Sequence, residues 1–146
     1  ALQCEYSLWS REPEQELFDA CKELGITFVA YSPLGRGFLT GAIKSRADME
    51  PGDFRLNNPR FTEEAIKENI RFVEVIDQLA KDKGVTKAQI ALAWILSQND
   101  EITAIPGTRN MHRLEENLGA LIVALTQADM DVIESSVPTS TMGSRY

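Results

Sequence analysis

Between Ile102 and Leu118 a short apolar run ends in Pro106-Gly107 and opens into a helix whose first turns carry Arg109, Arg113, Glu116 and Asn117. A helix N-terminus presents free backbone N–H groups and partial positive charge, so it suits a phosphate. Two arginines beside it can fork onto phosphate oxygens, and a carboxylate and an amide one turn later can hydrogen-bond a purine. The pattern reads as a nucleotide pocket. The same residues also suit an ordinary strand-to-helix connection with a salt-bridged, solvated helix, and chemistry alone does not choose between the two.

The elements that must position these groups can be read from the spacing of apolar residues. An opening strand over residues 2–8 leads to a helix start at Trp9-Ser10-Arg11-Glu12-Pro13, with Pro13 in the first turn. Leu17, Phe18, Cys21 and Leu24 then share one face, and Gly25 suits the helix exit. Residues 26–31 are apolar, β-branched or aromatic, as expected of a parallel strand covered on both sides. The segment 44–61, rich in Pro, Gly and Asn, is expected to be a long loop serving as a lid.

Helical spacing returns at Ile66, Ile70, Val73, Ile76 and Leu79 and stops at Gly84. Thr86-Lys87-Ala88-Gln89 and Thr126-Gln127-Ala128-Asp129 are capping-box patterns opening two further helices. A third strand is expected at 103–106, followed by a helix over 110–120, and residues 137–146 read as a loose polar tail. Three strands alternating with helices imply a parallel α/β sheet with right-handed crossovers. A closed (β/α)8 barrel takes about 250 residues, so the expected architecture is part of one.

Composition narrows the function classes. A net charge of −7 disfavours a general nucleic-acid or anionic-membrane binder, although it allows a small basic pocket. No stretch is long or apolar enough to span a bilayer. Cys4 and Cys21 lack metal-type spacing and read as reduced thiols, which points to a cytoplasmic setting. The chain opens inside a strand without an initiating Met, so it is expected to belong to something longer.

Four motifs together carry a family resemblance: Gln3-Cys4-Glu5-Tyr6-Ser7-Leu8-Trp9; Tyr31-Ser32-Pro33-Leu34-Gly35-Arg36-Gly37-Phe38-Leu39-Thr40-Gly41; Asp53-Phe54-Arg55 with Pro59-Arg60-Phe61; and Ile105-Pro106-Gly107-Thr108-Arg109 through Glu116-Asn117. The chain resembles the C-terminal part of an aldo-keto reductase, nearest the members labelled auxin-induced-protein-like. The resemblance implies a partial (β/α)8 TIM barrel, strands six to eight with their helices. It also implies reduction of a small aldehyde or ketone by hydride transfer from NADP(H).

By that likeness Gln3 would bond the nicotinamide amide and Tyr31 would stack on its ring. Ser32, Pro33, Leu34, Gly35 and Arg36 would line the pyrophosphate. Gly107, Thr108, Arg109 and Arg113 would hold the adenosine 2′-phosphate, and Glu116 and Asn117 the adenine. Where some relatives carry a lysine this chain has Ala42, and Arg55 is the candidate replacement. The family's catalytic aspartate, tyrosine, lysine and histidine lie on earlier strands, so no catalytic residue is assigned here; His112, Tyr6 and Tyr31 lack the partners for that role.

No metal site is expected. The resemblance also admits a cofactor-binding interaction subunit like the potassium-channel β-subunits, which typically carry Trp in place of Tyr31, or an inactive barrel fragment. Alone, such a fragment would expose strand edges and apolar barrel interior, and would form a homo-oligomer or associate with the remaining half-barrel.

Overall fold

In the computed structural model, which describes residues 1–138 and 140–146, three parallel strands form one sheet in the order β1 (Leu2–Glu5), β2 (Phe28–Tyr31), β3 (Ile102–Ala104). The register pairs Glu5 with Tyr31 and Ala30 with Ala104. Side chains alternate across a strand. Phe28, Ala30 and Ile102 therefore share the face that the helices bury, while Gln3, Glu5, Val29, Tyr31 and Thr103 share the other. On that second face Gln3 and Thr103 are exposed.

The strands are shorter than their sequence runs. Instead of continuing to residue 8, the first stops at Glu5, because Ser7 and Ser10 exchange backbone hydrogen bonds (3.2 and 3.0 Å) and turn the chain back. Among the described residues five α-helices lie on one side of the sheet or beside it: α1 (Leu17–Leu24), α2 (Glu63–Lys83), α3 (Lys87–Leu96), α4 (Met111–Leu118) and α5 (Gln127–Ser136). The expected start at Glu12-Pro13 is a separate 3₁₀ turn, with α1 proper beginning at Leu17.

Helix boundaries follow local chemistry. Thr62, Thr86, Asn110 and Thr126 each accept a backbone N–H at a helix start, and both expected capping boxes close reciprocally. Gly25 and Gly84 take left-handed conformations at the ends of α1 and α2. The core lies between helices and sheet around Tyr6, Trp9, Phe28, Phe38, Phe61, Phe72 and Trp94. Tyr6 stacks on Trp94 with centroids 5.4 Å apart, and Trp9 on Phe38 at 4.5 Å. Ala88, Ala91 and Ala93 are buried on α3, and small residues let a helix approach its neighbours closely.

Two expectations change. The 44–61 segment is a succession of 3₁₀ turns rather than an open loop. Arg46 ties it internally by donating to the carbonyls of Phe61 (2.8 Å) and Leu56 (3.0 Å), and Arg60 and Phe61 are buried beneath it. The described residues of the 137–146 tail are tied to the body of the molecule. Thr141 donates to the Trp9 carbonyl at 2.6 Å, and Asn69 brackets Met142 by bonds of 2.9 and 3.0 Å.

Candidate functional site

Parallel neighbours send their following loops out of the same edge of a sheet. Here β2 and β3 end together: the Ile105 N–H donates to the Ala30 carbonyl at 3.1 Å. The Ser32–Gly37 turn and the Pro106–Asn110 loop therefore leave side by side.

The first turn is conformationally unusual. Ser32 and Arg36 have φ of 49° and 55°, the only positive values among the described non-glycine residues. Each such residue costs about 1–3 kcal/mol and persists only where its surroundings enforce it. The enforcement is visible. Gly35 packs against the Trp9 indole so closely that a Cβ there would lie 2.8 Å from the ring, and Pro33 is buried. Arg36 is held from both ends: its carbonyl accepts from Arg55 Nη1 at 2.8 Å, and its guanidinium reaches Glu5 and the Arg145 carbonyl. Gly35 and Gly37 take the remaining left-handed positions without penalty.

Glu5 is the centre of this end of the sheet. Its side chain is 1 % exposed, yet it meets Ser10 Oγ at 3.0 Å and three guanidiniums: Arg145 at 2.9 Å, Arg36 at 3.4 Å and Arg60 at 3.5 Å. Three cations around one buried anion leave positive charge in surplus. Burial lowers the pKa of Arg60, and the Arg36 and Arg145 charges push it further down, while Glu5 and Glu12 oppose that.

Arg145 also donates to the Tyr31 hydroxyl and lies 5.5 Å from its ring centroid, while the hydroxyls of Tyr31 and Tyr146 are 3.0 Å apart. Burial and the Tyr146 hydrogen bond raise the Tyr31 pKa, and the same bond lowers that of Tyr146. A cleft of about 270 Å³ lies against these groups, lined by Arg36, Phe54, Asn58 and Tyr146.

The second loop is open. Asn110 caps α4 by accepting the Arg113 N–H at 3.2 Å, and Thr108 Oγ1 accepts the Asn110 N–H at 3.1 Å. Arg109 and Arg113 are exposed and form no ion pair among the described residues. Glu116 lines a second cleft, of about 310 Å³, together with Thr40, Thr86 and Lys87, so the far end of the first turn and the body of α4 meet there. Asn117 is buried beside it in sequence, and Gly107 sits in open space with an ordinary φ. Arg109 and Arg113 line neither cleft.

The structure therefore brings together Tyr31, Ser32, Pro33, Leu34, Gly35 and Arg36 in one turn, and Gly107, Thr108, Arg109 and Arg113 in the neighbouring loop. Gln3 is exposed on the Tyr31 face, two residues before Glu5. Arg55 is not available as drawn from sequence. Asp53 holds its Nε and Nη2, and its Nη1 serves the Arg36 carbonyl, so it braces the turn instead of extending outward. His112 is exposed on α4. Sequence reasoning missed Glu5, Asn58, Arg145 and Tyr146. The available signals were an acid at the end of the first strand and an Arg-Tyr pair following Gly143. Among the described residues no cluster of metal-ligating side chains occurs, and no helix is long and apolar enough to cross a membrane.

Comparison with known proteins bears on the family and fold of the chain. A family model described as "Aldo/keto reductase family" matches residues 1–138. The aldo-keto reductase yakc of Schizosaccharomyces pombe, whose name carries NADP(+), is 45% identical over all of this chain and 44% of its own length. A probable aldo-keto reductase 1 of Glycine max is 43% identical, with 42% of its length covered. The chain thus spans less than half the length of these relatives. Among solved structures, a thermostable aldo-keto reductase bound to the inhibitor epalrestat superposes with a TM-score of 0.63 at 29% identity, over 91% of this chain and 38% of that one. A Klebsiella pneumoniae aldo/keto reductase, in complex with NADP and acetate, gives 0.65 at 22% identity, over 98% and 41%, a likeness of fold.

Proposed function

The chain belongs to the aldo/keto reductase family, and we propose on that footing that it forms strands six to eight of a (β/α)8 barrel and supplies most of the NADP(H) site of a carbonyl reductase. The observation that carries this reading is the pairing of β2 with β3, which sets the strained Ser32–Gly37 turn beside the open N-terminus of α4. A dinucleotide is long enough to need both.

The residues fit the cofactor unevenly. At the adenosine end the fit is direct: Arg109 and Arg113 are exposed and unpaired next to a helix N-terminus, which favours the extra 2′-phosphate of NADP(H) over NAD(H). Gly107 and Thr108 would complete that contact, with Glu116 and Asn117 toward the adenine. In the middle, Ser32, Pro33, Leu34, Gly35 and Arg36 would line the pyrophosphate, with the glycines of this turn letting backbone approach closely. At the other end Gln3 would bond the nicotinamide amide and Tyr31 would give the ring a flat aromatic support.

When bound, NADPH supplies the hydride for an aldehyde or ketone. This chain's own part is to hold and orient it; the proton donor is not assigned to any residue here. A small carbonyl substrate follows from the family, and a cytoplasmic setting from the free thiols.

The test uses the full-length protein with NADPH and a nitrobenzaldehyde. Turnover is expected, and Arg113→Ala should weaken NADPH about tenfold or more, the effect of losing a charge-assisted hydrogen bond, while leaving NADH nearly unchanged. Equal loss with both cofactors would remove Arg113 from the 2′-phosphate site. Binding without turnover would favour the non-catalytic interaction subunit.

A further inference from the structure

We propose that residues 143–146 form a strap across the end of β2, and that this strap must leave Tyr31 and Arg36 before the cofactor can occupy them. The inference rests on the NADP(H) reading above. It comes from a conflict of occupancy. Arg36 Nη1 donates to the Arg145 carbonyl at 3.3 Å and Nη2 to Glu5 at 3.4 Å. Asn58 Nδ2 donates to the same Arg145 carbonyl at 3.1 Å. The Tyr31 hydroxyl is shared between Arg145 and Tyr146, and the Tyr146 ring lies 5.4 Å from the Arg36 guanidinium. The groups that would receive pyrophosphate and nicotinamide are therefore already engaged by the strap.

The strap is built to pivot. Its upstream side is fixed by Thr141 on Trp9, by Asn69 on Met142 and by Arg60 Nε on the Gly143 carbonyl at 3.4 Å. Gly143 has φ of +93°, and a Cβ there would meet the Pro59 carbonyl oxygen at 2.7 Å, so the chain turns where only glycine fits. Beyond it Ser144 is exposed and Tyr146 is 77 % exposed, so little apolar surface holds them down.

Release leaves no buried charge unpaired. Without Arg145, Glu5 keeps Ser10, Arg36 and Arg60, and a third guanidinium leaves a crowded cationic cluster. Losing one of three redundant partners costs far less than losing the sole partner of a buried ion.

Stopped-flow quenching of tryptophan fluorescence by NADPH in the full-length protein tests this. The wild-type rate should level off at high NADPH, because strap opening becomes limiting. Arg145→Met and Tyr146→Ala should each restore a linear dependence and tighten NADPH about tenfold, the factor expected if the strap is open one-tenth of the time. Tyr146→Phe, which removes only the hydroxyl contact, should shift affinity in the same direction by less. Linear wild-type kinetics, or variants that bind more weakly, would overturn the strap alone and make Arg145 and Tyr146 part of the cofactor wall. A wild-type protein that binds no NADPH would overturn the cofactor reading, and the strap with it.

Discussion

A buried carboxylate is stable only when its charge and lone pairs are met. Glu5 meets both conditions with residues far apart in the chain, and its neighbour Tyr6 shows the opposite case. The Tyr6 phenol is buried and donates to Glu14 at 2.7 Å. Burial, and then the Glu14 charge, raise its pKa far above the ordinary 10.0. Below pH 10 the folded and unfolded chains both keep this proton, so the contribution is fully present. Above that, only the unfolded chain releases it, and stability is lost as pH rises. Urea titrations between pH 9 and 11 should show Tyr6→Phe losing less stability above pH 10 than wild type, by about 1.4 kcal/mol per pH unit. Parallel pH profiles would show that the phenol ionises freely in the folded protein.

Among the elements, the tight turn after β2 shows how packing dictates sequence. Gly35 combines φ of +57° with a Trp9 indole 2.8 Å from where a Cβ would sit, and that indole is itself stacked on Phe38. Gly35→Ala therefore meets both a left-handed backbone and a clash with a ring already packed on its other neighbour. It should cost about 2–4 kcal/mol, read as a lower urea midpoint at unchanged slope. A loss below 1 kcal/mol would mean that Trp9 can shift. Across the molecule, α2 and α3 are joined by Asp77, which bonds Lys81 and Lys87 and whose pKa those two bonds lower to about 2.

The legibility of these elements follows their physics. Capping at Thr86 and Thr126, exits at Gly25 and Gly84 and the α2 periodicity are local, and each was readable from a few adjacent residues. The same holds for the turn after β2, which its own glycines mark. The ordered tail and the role of Arg55 were not readable. The tail depends on Glu5, 140 positions before Arg145, and Arg55 on the Arg36 carbonyl 19 positions away as well as on nearby Asp53, and a polar tail carries no periodic signal of its own.

At the scale of the whole molecule, the sheet has two unpaired edges among the described residues, since β1 and β3 pair there with β2 alone. It also has a sheet face on which Gln3 and Thr103 are exposed, although parallel sheets are normally covered on both sides. On the β3 side, Met111, Leu114, Leu118, Leu121 and Ile122 on and after α4 are all exposed, Ile122 by 89 %. Such a surface needs a cover. The 146-residue chain by itself should sediment as an oligomer, and Leu118→Glu with Ile122→Glu should shift it toward monomer without loss of helical signal. A monodisperse wild-type monomer with a cooperative melt would contradict this.

The Glu5 cluster carries one more implication, for biosynthesis. Glu5 and Arg145 are 140 positions apart, whereas the contacts between neighbouring strands and helices are mostly far shorter in sequence. Within this stretch the ribosome makes Ser10, Arg36 and Arg60 before Arg145, so the sheet end can gather its first partners around that acid during synthesis. Arg145 then adds the contact with Tyr31.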